Sequence, residues 1–299
     1  MPNSKVAIAM STYNGERYLR EQLDSLLAQS VPVEIYVRDD GSSDATARIL
    51  KEYEGHYHNV HVFLEENKGC TRSFLRLLSA IPNCYEYYAF CDQDDRWHAD
   101  KIEKALAILE KESKNIPLLY CSEYNYCGED MSFQSASHLN KIGVSFSKCF
   151  FENVCSGNTM VFNETTRSMV IRANPSMVYC HDWWVALVVT CFGKLYFDEA
   201  TTLDYRRTGS NVSPTGLSSF AILKYRINTF FRDGQLRLVS QQLKYFLELY
   251  SQDVPKENKG LLNRCVYGGR FVKASTPRRF RQKPLDEIVV RLLLCLGQL

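Results

Sequence analysis

The chain has 299 residues, 45% of them hydrophobic, and carries a net charge of +2. This length and composition suit a globular protein with one large core or two unequal ones, and they exclude a disordered or fibrous chain. The near-neutral charge gives no chain-wide basic field, so nucleic acid is excluded as an expected partner.

The first part of the chain alternates between strand-like and helical patterns. Four apolar, β-rich segments each precede a segment whose apolar residues recur at helical spacing. The strand-like segments are KVAIAMS, VEIYVRDD, VHVFLEENKG and YEYYAFCDQDD, and the helical ones are GERYLREQLDSLLAQS, SSDATARILKEYE, CTRSFLRLLSAI and DKIEKALAILEKE. This alternation predicts an α/β fold with a mainly parallel sheet flanked by helices.

A short polar cluster follows each of these four strands. The clusters are STYNG, DDGSSD, ENKG and DQDD. Ligands of such sheets bind beyond the carboxyl ends of the strands, where the loops lead into helices. We therefore expect a polar site at this edge of the sheet.

The rest of the chain is less regular. Strands are predicted in PLLYCSEYNY and SGNTMVFN, KLYFDEATTLDYRR suggests two short strands, and HDWWVALVVTCFG predicts an apolar helix that ends at Gly193. From about Leu217 onward, amphipathic runs such as FAILKYRINTFFRDG and LVSQQLKYFLELY predict helices. We therefore predict a first domain over 1–215, in two halves that meet near residue 115, and a helical C-terminal segment over 216–299.

Cysteine usage and the N-terminus predict a cytoplasmic location. The eleven cysteines lie mostly in apolar runs, and no C-x-x-C pair suggests zinc or a redox site. They are typical of buried thiols in a reducing compartment. The opening MPNSKVAIAM lacks the pattern of a secretory signal.

Three carboxylates, Asp92, Asp94 and Asp95, crowd the end of the fourth strand. Confining them in a crevice without a counter-charge is costly, so a cation is expected there. Hard oxygen ligands suit Mg²⁺ or Mn²⁺, which commonly bind one or two carboxylates together with substrate phosphates.

The acidic cluster has two alternative interpretations, a turn that caps the next helix and a calcium loop. Asp100 and Glu103 form a D-x-x-E capping box that explains one carboxylate of the region but not the three upstream. A calcium loop is suggested by Glu103 at the twelfth position from Asp92, but Arg96 and Trp97 stand where such a loop needs a ligand and then a glycine.

An ordered series of motifs carries a family resemblance that covers about Val6 to Val212. Its members are VAIAMSTYNGERYLREQLDSLLAQ, VRDDGSSDAT, ENKG, FCDQDDRWHADKI, SGNTMVF and HDWW. Together they resemble a family 2 nucleotide-sugar glycosyltransferase with the GT-A (Rossmann-like) fold, and they are most similar to bacterial rhamnosyltransferases. The resemblance implies a nucleotide-binding half over 1–115 and an acceptor-binding half over 116–215.

The resemblance assigns the nucleotide base to residues of the first two polar loops. Thr12 and Tyr13 would contact the base, with the aromatic ring stacked on it. Asp40 would accept the ring N–H of uracil or thymine. Asp39 is expected to support the loop or to cap the helix that follows.

The resemblance assigns the rest of the donor to the third and fourth loops. Asp94 would bind the ribose hydroxyls, Asp95 the divalent metal that bridges the diphosphate, and Asp92 would add a polar contact. Arg72 is a candidate for the diphosphate because a guanidinium matches phosphate geometry. A surface arginine on a helix is the alternative.

Asp182 matches the general base of the family, which accepts the proton of the attacking hydroxyl. Capping of the apolar helix is the alternative role, and the two can coexist. Gly157 and Asn158 would line the acceptor side, where glycine permits a close backbone approach. His181 and Trp183 are expected to shape the acceptor pocket or the core.

One departure concerns the metal site. In similar sequences a histidine often stands where this chain has Thr208, and that histidine can serve the metal or the diphosphate. The metal site is therefore expected to have fewer ligands than usual, so that activity relies more on Arg206 and Arg207 or requires higher divalent-ion concentrations.

The C-terminal segment is basic and then amphipathic. From Arg264 to Arg291 there are eight Lys and Arg against two Asp and Glu, and PLDEIVVRLLLCLGQL places most of its apolar residues on one helical face. This predicts a peripheral helix on anionic lipid, and packing against its own core or a sister subunit is the alternative. The run is too short to span a bilayer.

The family resemblance implies a metal-dependent, inverting hexosyltransferase. The expected reaction moves L-rhamnose from dTDP-L-rhamnose to a polysaccharide or lipid-linked oligosaccharide. A UDP-hexose donor is the nearest alternative, and a catalytically inactive nucleotide-sugar-binding module stays open because of Thr208. A nucleotidyltransferase is disfavoured because STYNGE is not a glycine-rich phosphate loop.

Overall fold

A computed structural model describes residues 4–208 and 235–298. The predicted helix over 220–234 lies outside these ranges. The described residues divide into two compact units. The first comprises 4–140 with 153–206, and the second comprises 141–152 with 207–208 and 235–298. Nothing in the sequence had suggested that 141–152 joins the C-terminal unit.

The first unit begins with four parallel strands in the order β3-β2-β1-β4. These are β1 (Val6–Thr12), β2 (Val33–Asp40), β3 (Val60–Glu65) and β4 (Tyr87–Cys91). Their connecting helices are α1 (Leu19–Leu27), α2 (Thr46–His56) and α3 (Cys70–Ala80), followed by α4 (Lys101–Leu109). The predicted βα alternation is therefore confirmed.

Burial of one apolar stripe fixes each helix on the sheet. In α1 the leucines at positions 19, 23 and 26 are fully buried, as helical spacing requires. In β4 every residue is buried, which is usual for a central strand covered on both faces. The four strands therefore end together, and their polar loops reach the same edge.

Five further strands complete a nine-stranded mixed sheet. They are β5 (Arg96–Trp97), β6 (Leu118–Cys127), β7 (Phe133–Ala136), β8 (Val161–Asn163) and β9 (Lys194–Arg206). Strand β8 lies antiparallel between β4 and β6, and β9 runs parallel to β6. This insertion of β8 brings the segment before it next to the loop that follows β4.

The prediction of two short strands in KLYFDEATTLDYRR is wrong, because β9 is one strand over that segment. Its register with β6 shifts where Ser122 pairs with Asp198 and Glu123 pairs with Thr201. Two extra residues of β9 are accommodated there, and the carboxylate of Asp198 accepts the N–H of Ala200 at 2.9 Å. The irregularity keeps the strand continuous despite the polar DEATT run.

Helices α5 (Glu164–Val170) and α6 (His181–Phe192) complete the first unit. Helix α6 ends at Gly193 as predicted, where a Cβ would lie 1.8 Å from the carbonyl oxygen of Pro117. No side chain fits in that space.

The predicted capping box at the start of α4 is wrong. Asp100 makes no side-chain hydrogen bond to the helix N-terminus. It pairs instead with Lys104 at 2.9 Å, and Glu103 accepts a hydrogen bond from Ser30 at 2.8 Å. Neither carboxylate therefore makes the hydrogen bond to a backbone N–H that a capping box requires.

The second unit is helical in its described part. It contains α7 (Gln235–Leu249), α8 (Lys256–Tyr267), α9 (Arg270–Ala274) and α10 (Pro284–Cys295). Its core holds Phe246, Tyr250, Leu262 and Phe280, all fully buried. The predicted helical C-terminal segment is confirmed. No helix within 4–208 and 235–298 combines the length and apolarity needed to cross a bilayer.

Candidate active site

The first polar loop presents an aromatic ring and is held rigid by one glutamine. Tyr13 is 51% exposed. Its backbone N–H donates to Oε1 of Gln93 at 2.8 Å, and its carbonyl accepts from Nε2 of the same residue at 3.1 Å. Gly15 lies beside this contact, and a Cβ there would lie 2.4 Å from Gln93 Oε1 and displace that side chain. The ring of Tyr13 is therefore free of the core and presented to solvent.

Thr12 does not present its hydroxyl to the open edge. It is 1% exposed and donates to Oδ1 of Asp39 at 2.9 Å. Asp39 also accepts the N–H of Ser42 at 2.9 Å. These bonds tie the first loop to the second, so Asp39 supports the loop as expected.

Asp40 is buried and already bound by the protein. It is 2% exposed and accepts the N–H groups of Lys68 and Gly69 at 2.8 Å each. Gly69 has φ +83°, a backbone conformation that favours glycine. Asp40 therefore anchors the ENKG loop, and a contact with a base would use the remaining acceptor capacity of its carboxylate.

Arg38 is a site residue that sequence reasoning missed. It is 1% exposed and forms an ion pair with Asp40. It also donates to Ser73 at 2.9 Å and to the carbonyl of Glu66 at 2.8 Å. A buried guanidinium with this many acceptors is satisfied, and it links β2, the ENKG loop and α3. The signal was a charged residue inside a buried strand.

The acidic cluster divides into an accessible part and a buried part. Asp92 and Asp94 are partly exposed, whereas Asp95 is fully buried. Asp95 accepts from Nδ2 of Asn158 at 2.6 Å and from the N–H of Arg206 at 3.3 Å. The predicted metal contact of Asp95 stays a prediction, but burial favours Asp94 for direct contact with a metal.

The electrostatics of the cluster favour a cation. Burial, followed by the charges of Asp94 and Asp182, raises the pKa of Asp92 to about 7. Burial also raises the pKa of Asp94, and burial with the charges of its two acidic neighbours raises that of Asp95. Each shift reflects a carboxylate whose ionised form is destabilised. A divalent cation would relieve this repulsion.

The predicted place of Asn158 on the acceptor side stays a prediction, and the structure shows its side chain in contact with Asp95. Asn158 is 1% exposed and points its amide at Asp95. The backbone carbonyl of Asn158 accepts a hydrogen bond from Nζ of Lys101 at 3.0 Å. Lys101 is itself fully buried 4.4 Å above the ring of Trp97, and burial lowers the pKa of Lys101 to about 7. Sequence reasoning missed this lysine because it looks like an ordinary first-turn residue of α4.

Arg206 is buried and bonded within the protein, and the expected reliance of the activity on it stays a prediction. It is 3% exposed and donates from Nε to the carbonyl of Asp94 at 3.0 Å. Its guanidinium also pairs with Glu21 and lies 4.5 Å from the ring centre of Tyr18. Arg206 therefore holds the loop that carries the acidic cluster.

Asp182 is positioned by three donors. Oδ1 accepts the N–H of Trp183 at 2.5 Å and the thiol of Cys180 at 2.9 Å. Oδ2 accepts the N–H of Gly157 at 3.2 Å. Helix α6 begins at His181, so Asp182 lies in its first turn and is not the N-cap. The carboxylate is partly exposed and fixed in orientation next to Asp92.

His181 and Trp183 are buried beside this carboxylate. His181 is 7% exposed and stacks on Phe74 with ring centres 4.1 Å apart. Burial lowers the pKa of His181, so the imidazole is neutral at neutral pH. Trp183 is 8% exposed and packs edge-on against Tyr179. Both side chains belong mainly to the core behind the site.

Arg72 and Thr208 complete the predicted set. Arg72 lies exposed on the first turn of α3, which follows the ENKG loop. Thr208 is half-buried in the second unit. Most of the remainder of its motif lies outside the described residues.

A metal would have to be held by few protein ligands. Within the described ranges, no group of three or more His, Cys, Asp or Glu side chains is arranged to hold a metal ion. Asp92 and Asp94 nevertheless offer hard oxygen donors with raised pKa values. This donor set fits Mg²⁺ or Mn²⁺ that shares its coordination with a diphosphate.

Comparison with known proteins places the chain among glycosyltransferases. The family model for glycosyl transferase family 2 matches residues 7–173. The dTDP-rhamnosyl transferase RfbG of Shigella flexneri is 27% identical over 304 residues, which cover 96% of this chain and 99% of that protein. The putative teichuronic acid biosynthesis glycosyltransferase TuaG of Bacillus subtilis is 33% identical over 138 residues, 46% of this chain and 51% of that one.

Two solved structures share the fold. Residues 1–349 of S. aureus TarS in complex with UDP-GlcNAc superpose with a TM-score of 0.60 at 13% identity, over 99% of this chain and 79% of that one. The mannosyltransferase PcManGT from Pyrobaculum calidifontis, in complex with GDP-Man and Mn²⁺, gives a TM-score of 0.55 at 15% identity, over 98% of this chain and 81% of that one.

Proposed function

The chain belongs to glycosyl transferase family 2, and on that premise we propose that it transfers L-rhamnose from dTDP-L-rhamnose to a polysaccharide or lipid-linked oligosaccharide. The predicted family and GT-A fold are confirmed. The choice of donor is supported by similarity to a dTDP-rhamnosyl transferase along almost the whole length of both chains.

The observation that carries the proposed chemistry is the fixed, partly exposed carboxylate of Asp182 beside Asp92. An acceptor hydroxyl passes its proton to this carboxylate while its oxygen bonds to the anomeric carbon of the sugar. The bond from that carbon to the diphosphate breaks on the opposite face, and its electron pair leaves with the nucleoside diphosphate. The anomeric configuration therefore inverts.

The donor is proposed to lie along the polar loops of β1, β2 and β4. The exposed ring of Tyr13 stacks on the base, and Asp40 accepts the base N–H. The guanidinium of Arg72 contacts the diphosphate. Asp94 and Asp92 would hold the divalent cation in place of the buried Asp95, which the resemblance assigns to the metal. Such a cation would supply neutralisation of the departing diphosphate.

The acceptor is proposed to be reached at the inner face of the cell membrane, with the second unit resting on lipid. Helix α10 exposes an apolar stripe at helical spacing, formed by Leu285, Ile288, Val289, Leu292 and Leu296, which are 46 to 75% exposed. Asp286 and Glu287 turn inward, with side chains 13% exposed and paired with Arg281 and Arg291. The outward charge of this region is therefore basic, which suits anionic lipid.

A UDP-hexose is the second candidate donor, favoured by the fold shared with TarS in complex with UDP-GlcNAc. An inactive binding module is the third possibility, and the experiment must distinguish it from the other two.

The protein is incubated with dTDP-rhamnose, UDP-glucose or UDP-galactose and Mn²⁺, with and without acceptor, and released nucleoside diphosphate is measured. We expect the wild type to release nucleoside diphosphate from dTDP-rhamnose and Asp182→Asn to release none. Nucleotide binding without release from any donor would instead identify the module.

A further inference from the structure

The second unit contains a pocket of about 220 Å³ that is lined by α7, α8, α9 and Phe151. Its wall carries three basic side chains, Arg237, Lys244 and Lys273. Among the residues that the structure describes, no carboxylate lines this pocket. All of its lining residues belong to the second unit.

Helix α7 supplies a polar stripe to the pocket. Arg237, Ser240, Gln241 and Lys244 all line it, and their spacing of three, four and seven residues places them on one helical face. Lys273 comes from a different helix, α9. The pocket is therefore bordered by cations from two helices, with a hydroxyl and an amide between the two cations of α7.

The charge of Lys244 is only weakly offset by its ion pair. The carboxylate of Glu248 lies 3.9 Å from Nζ of Lys244, and both side chains are more than half exposed. Such a pair contributes little. A phosphate suits this wall, because it offers several acceptor oxygens and a negative charge to a guanidinium, ammonium groups and neutral donors.

The pocket also has an apolar side. Phe151, Leu243 and Cys265 are 2 to 7% exposed and line it together with Val266. Its volume lies below the roughly 300 Å³ at which pockets for drug-sized ligands begin. A phosphate with the start of an apolar chain therefore fits better than a complete nucleotide sugar.

The pocket borders an exposed apolar surface. Phe271 and Val272, which precede Lys273 in the chain, are 79% and 42% exposed. Helix α9 lies against α10, where Arg291 donates to the carbonyl of Ala274 at 2.5 Å. The apolar residues of α9 are thus next to the helix that carries the exposed stripe.

We propose that this pocket binds the phosphate group of a membrane lipid. The proposal rests on the proposed membrane contact of the second unit and adds to it a defined headgroup site. A lipid phosphate enters between the cations while its chains stay with the apolar surface of α9 and α10. The same phosphate chemistry is offered by free inorganic phosphate, so the experiment separates the two sources.

The full-length protein is mixed with vesicles of phosphatidylcholine alone, of phosphatidylcholine with phosphatidic acid, and of phosphatidylcholine with oleate, and bound protein is measured by sedimentation. Lys244→Gln and Lys273→Gln each weaken binding to the phosphatidic acid vesicles about five- to tenfold, because each removes a cation from the phosphate site. Lys256→Gln, which removes one exposed charge of the same unit outside the pocket, changes binding less than twofold.

Three results would overturn the proposal. One is equal loss of binding in all three variants, which indicates general surface charge. Another is equal binding of the wild type to the phosphatidic acid and oleate vesicles. The third is calorimetric binding of inorganic phosphate that is lost in Lys244→Gln without any lipid preference, which identifies a free-phosphate site. No sugar donor is present, so these outcomes are independent of whether the chain transfers rhamnose.

Discussion

The backbone N–H of Gly157 donates to Oδ2 of Asp182 over 3.2 Å. A Cβ at residue 157 would lie 3.0 Å from Nε2 of His181 and 3.3 Å from Cβ of Asp182, so Gly157→Ala should push the carboxylate out of place. We expect kcat to fall about 10- to 100-fold, as small misplacements of catalytic groups do, with donor affinity within twofold of wild type. Initial rates of nucleoside diphosphate release and calorimetry measure both quantities.

Gly55→Ala is the matched control for this prediction. No atom lies within 4 Å of a Cβ at that position in α2. It should keep wild-type kcat and gain up to about 1 kcal/mol of stability from helix propensity. An unchanged kcat in Gly157→Ala would mean that the contact with Asp182 does not position a catalytic group.

Asp182→Asn should abolish most turnover while leaving the fold intact. The amide keeps one acceptor oxygen for the N–H of Gly157 or Trp183 but cannot take the acceptor proton. We expect kcat to fall by about 10² to 10⁴, the usual contribution of a general base, with little change in the Kd of the donor. Asp100→Asn, a carboxylate paired with Lys104 at the start of α4, is the control and should be fully active. A fully active Asp182→Asn would exclude the residue as base.

The roles of Asp94 and Asp95 can be distinguished by how a substitution at each residue changes the Mn²⁺-dependent binding of a nucleoside diphosphate. Asp94→Asn should weaken Mn²⁺-dependent binding of a nucleoside diphosphate at least about tenfold, because a partly exposed ligand is lost. Asp95→Asn should affect metal dependence less and lower stability by about 1 to 3 kcal/mol, because its amide meets the donors of Asn158 and Arg206. Calorimetry with and without Mn²⁺, together with urea unfolding, tests both. The reverse order would establish Asp95 as the direct metal ligand.

The strands, helices and edge loops of the first unit could be predicted because their signals are local. Alternation and helical spacing in segments such as VEIYVRDD and CTRSFLRLLSAI depend only on neighbouring residues. The polar clusters that follow the strands then reach one edge because parallel strands end together. Tyr13, Asp94 and Asp182 were predicted as site residues from the family motifs, and their roles stay predictions.

The contacts behind the site could not be predicted, since they depend on distant segments. Only the antiparallel insertion of β8 between β4 and β6 brings Asn158 to Asp95. Lys101 was missed for the same reason, because its acceptor is a carbonyl 57 residues away. The contact of Arg206 with the carbonyl of Asp94 was likewise not predictable, because the two residues are 112 positions apart in the chain.

The link between β5, β6 and β9 through Asp204 should make stability depend on acid pH. Burial alone would raise the pKa of Asp204, but hydrogen bonds from His98, Asn125 and Arg96 hold this pKa well below its usual range. Between the depressed pKa and the ordinary value near about 3.9, the unfolded chain binds a proton that the folded chain does not. Stability from this residue is therefore present at neutral pH and is lost as the pH falls below about 4.

Asp204→Asn should consequently reduce the free energy of unfolding by about 2 kcal/mol at pH 7, the scale of hydrogen bonds to a charged group. The difference from wild type should shrink as the pH is lowered through 4 toward 3. Urea unfolding at several pH values measures it. A difference that stays constant with pH would show that the carboxylate does not titrate between the folded and unfolded states.

The exposed stripe of α10 should control membrane association separately from catalysis. Ile288→Glu and Leu292→Glu each replace a side chain that is 55% or 57% exposed and add a charge that lipid disfavours. We expect binding to anionic vesicles to fall at least about tenfold, since burying one such side chain is worth roughly 1.5 to 3 kcal/mol. Donor turnover without vesicles should stay at the wild-type rate.

Leu64→Glu is the control, because Leu64 is 46% exposed near the end of β3 in the first unit. This variant should bind vesicles like the wild type. If the wild type instead sediments as a dimer that both α10 variants dissociate, and binds no vesicles, the stripe is covered by a second copy of the chain and the membrane proposal fails.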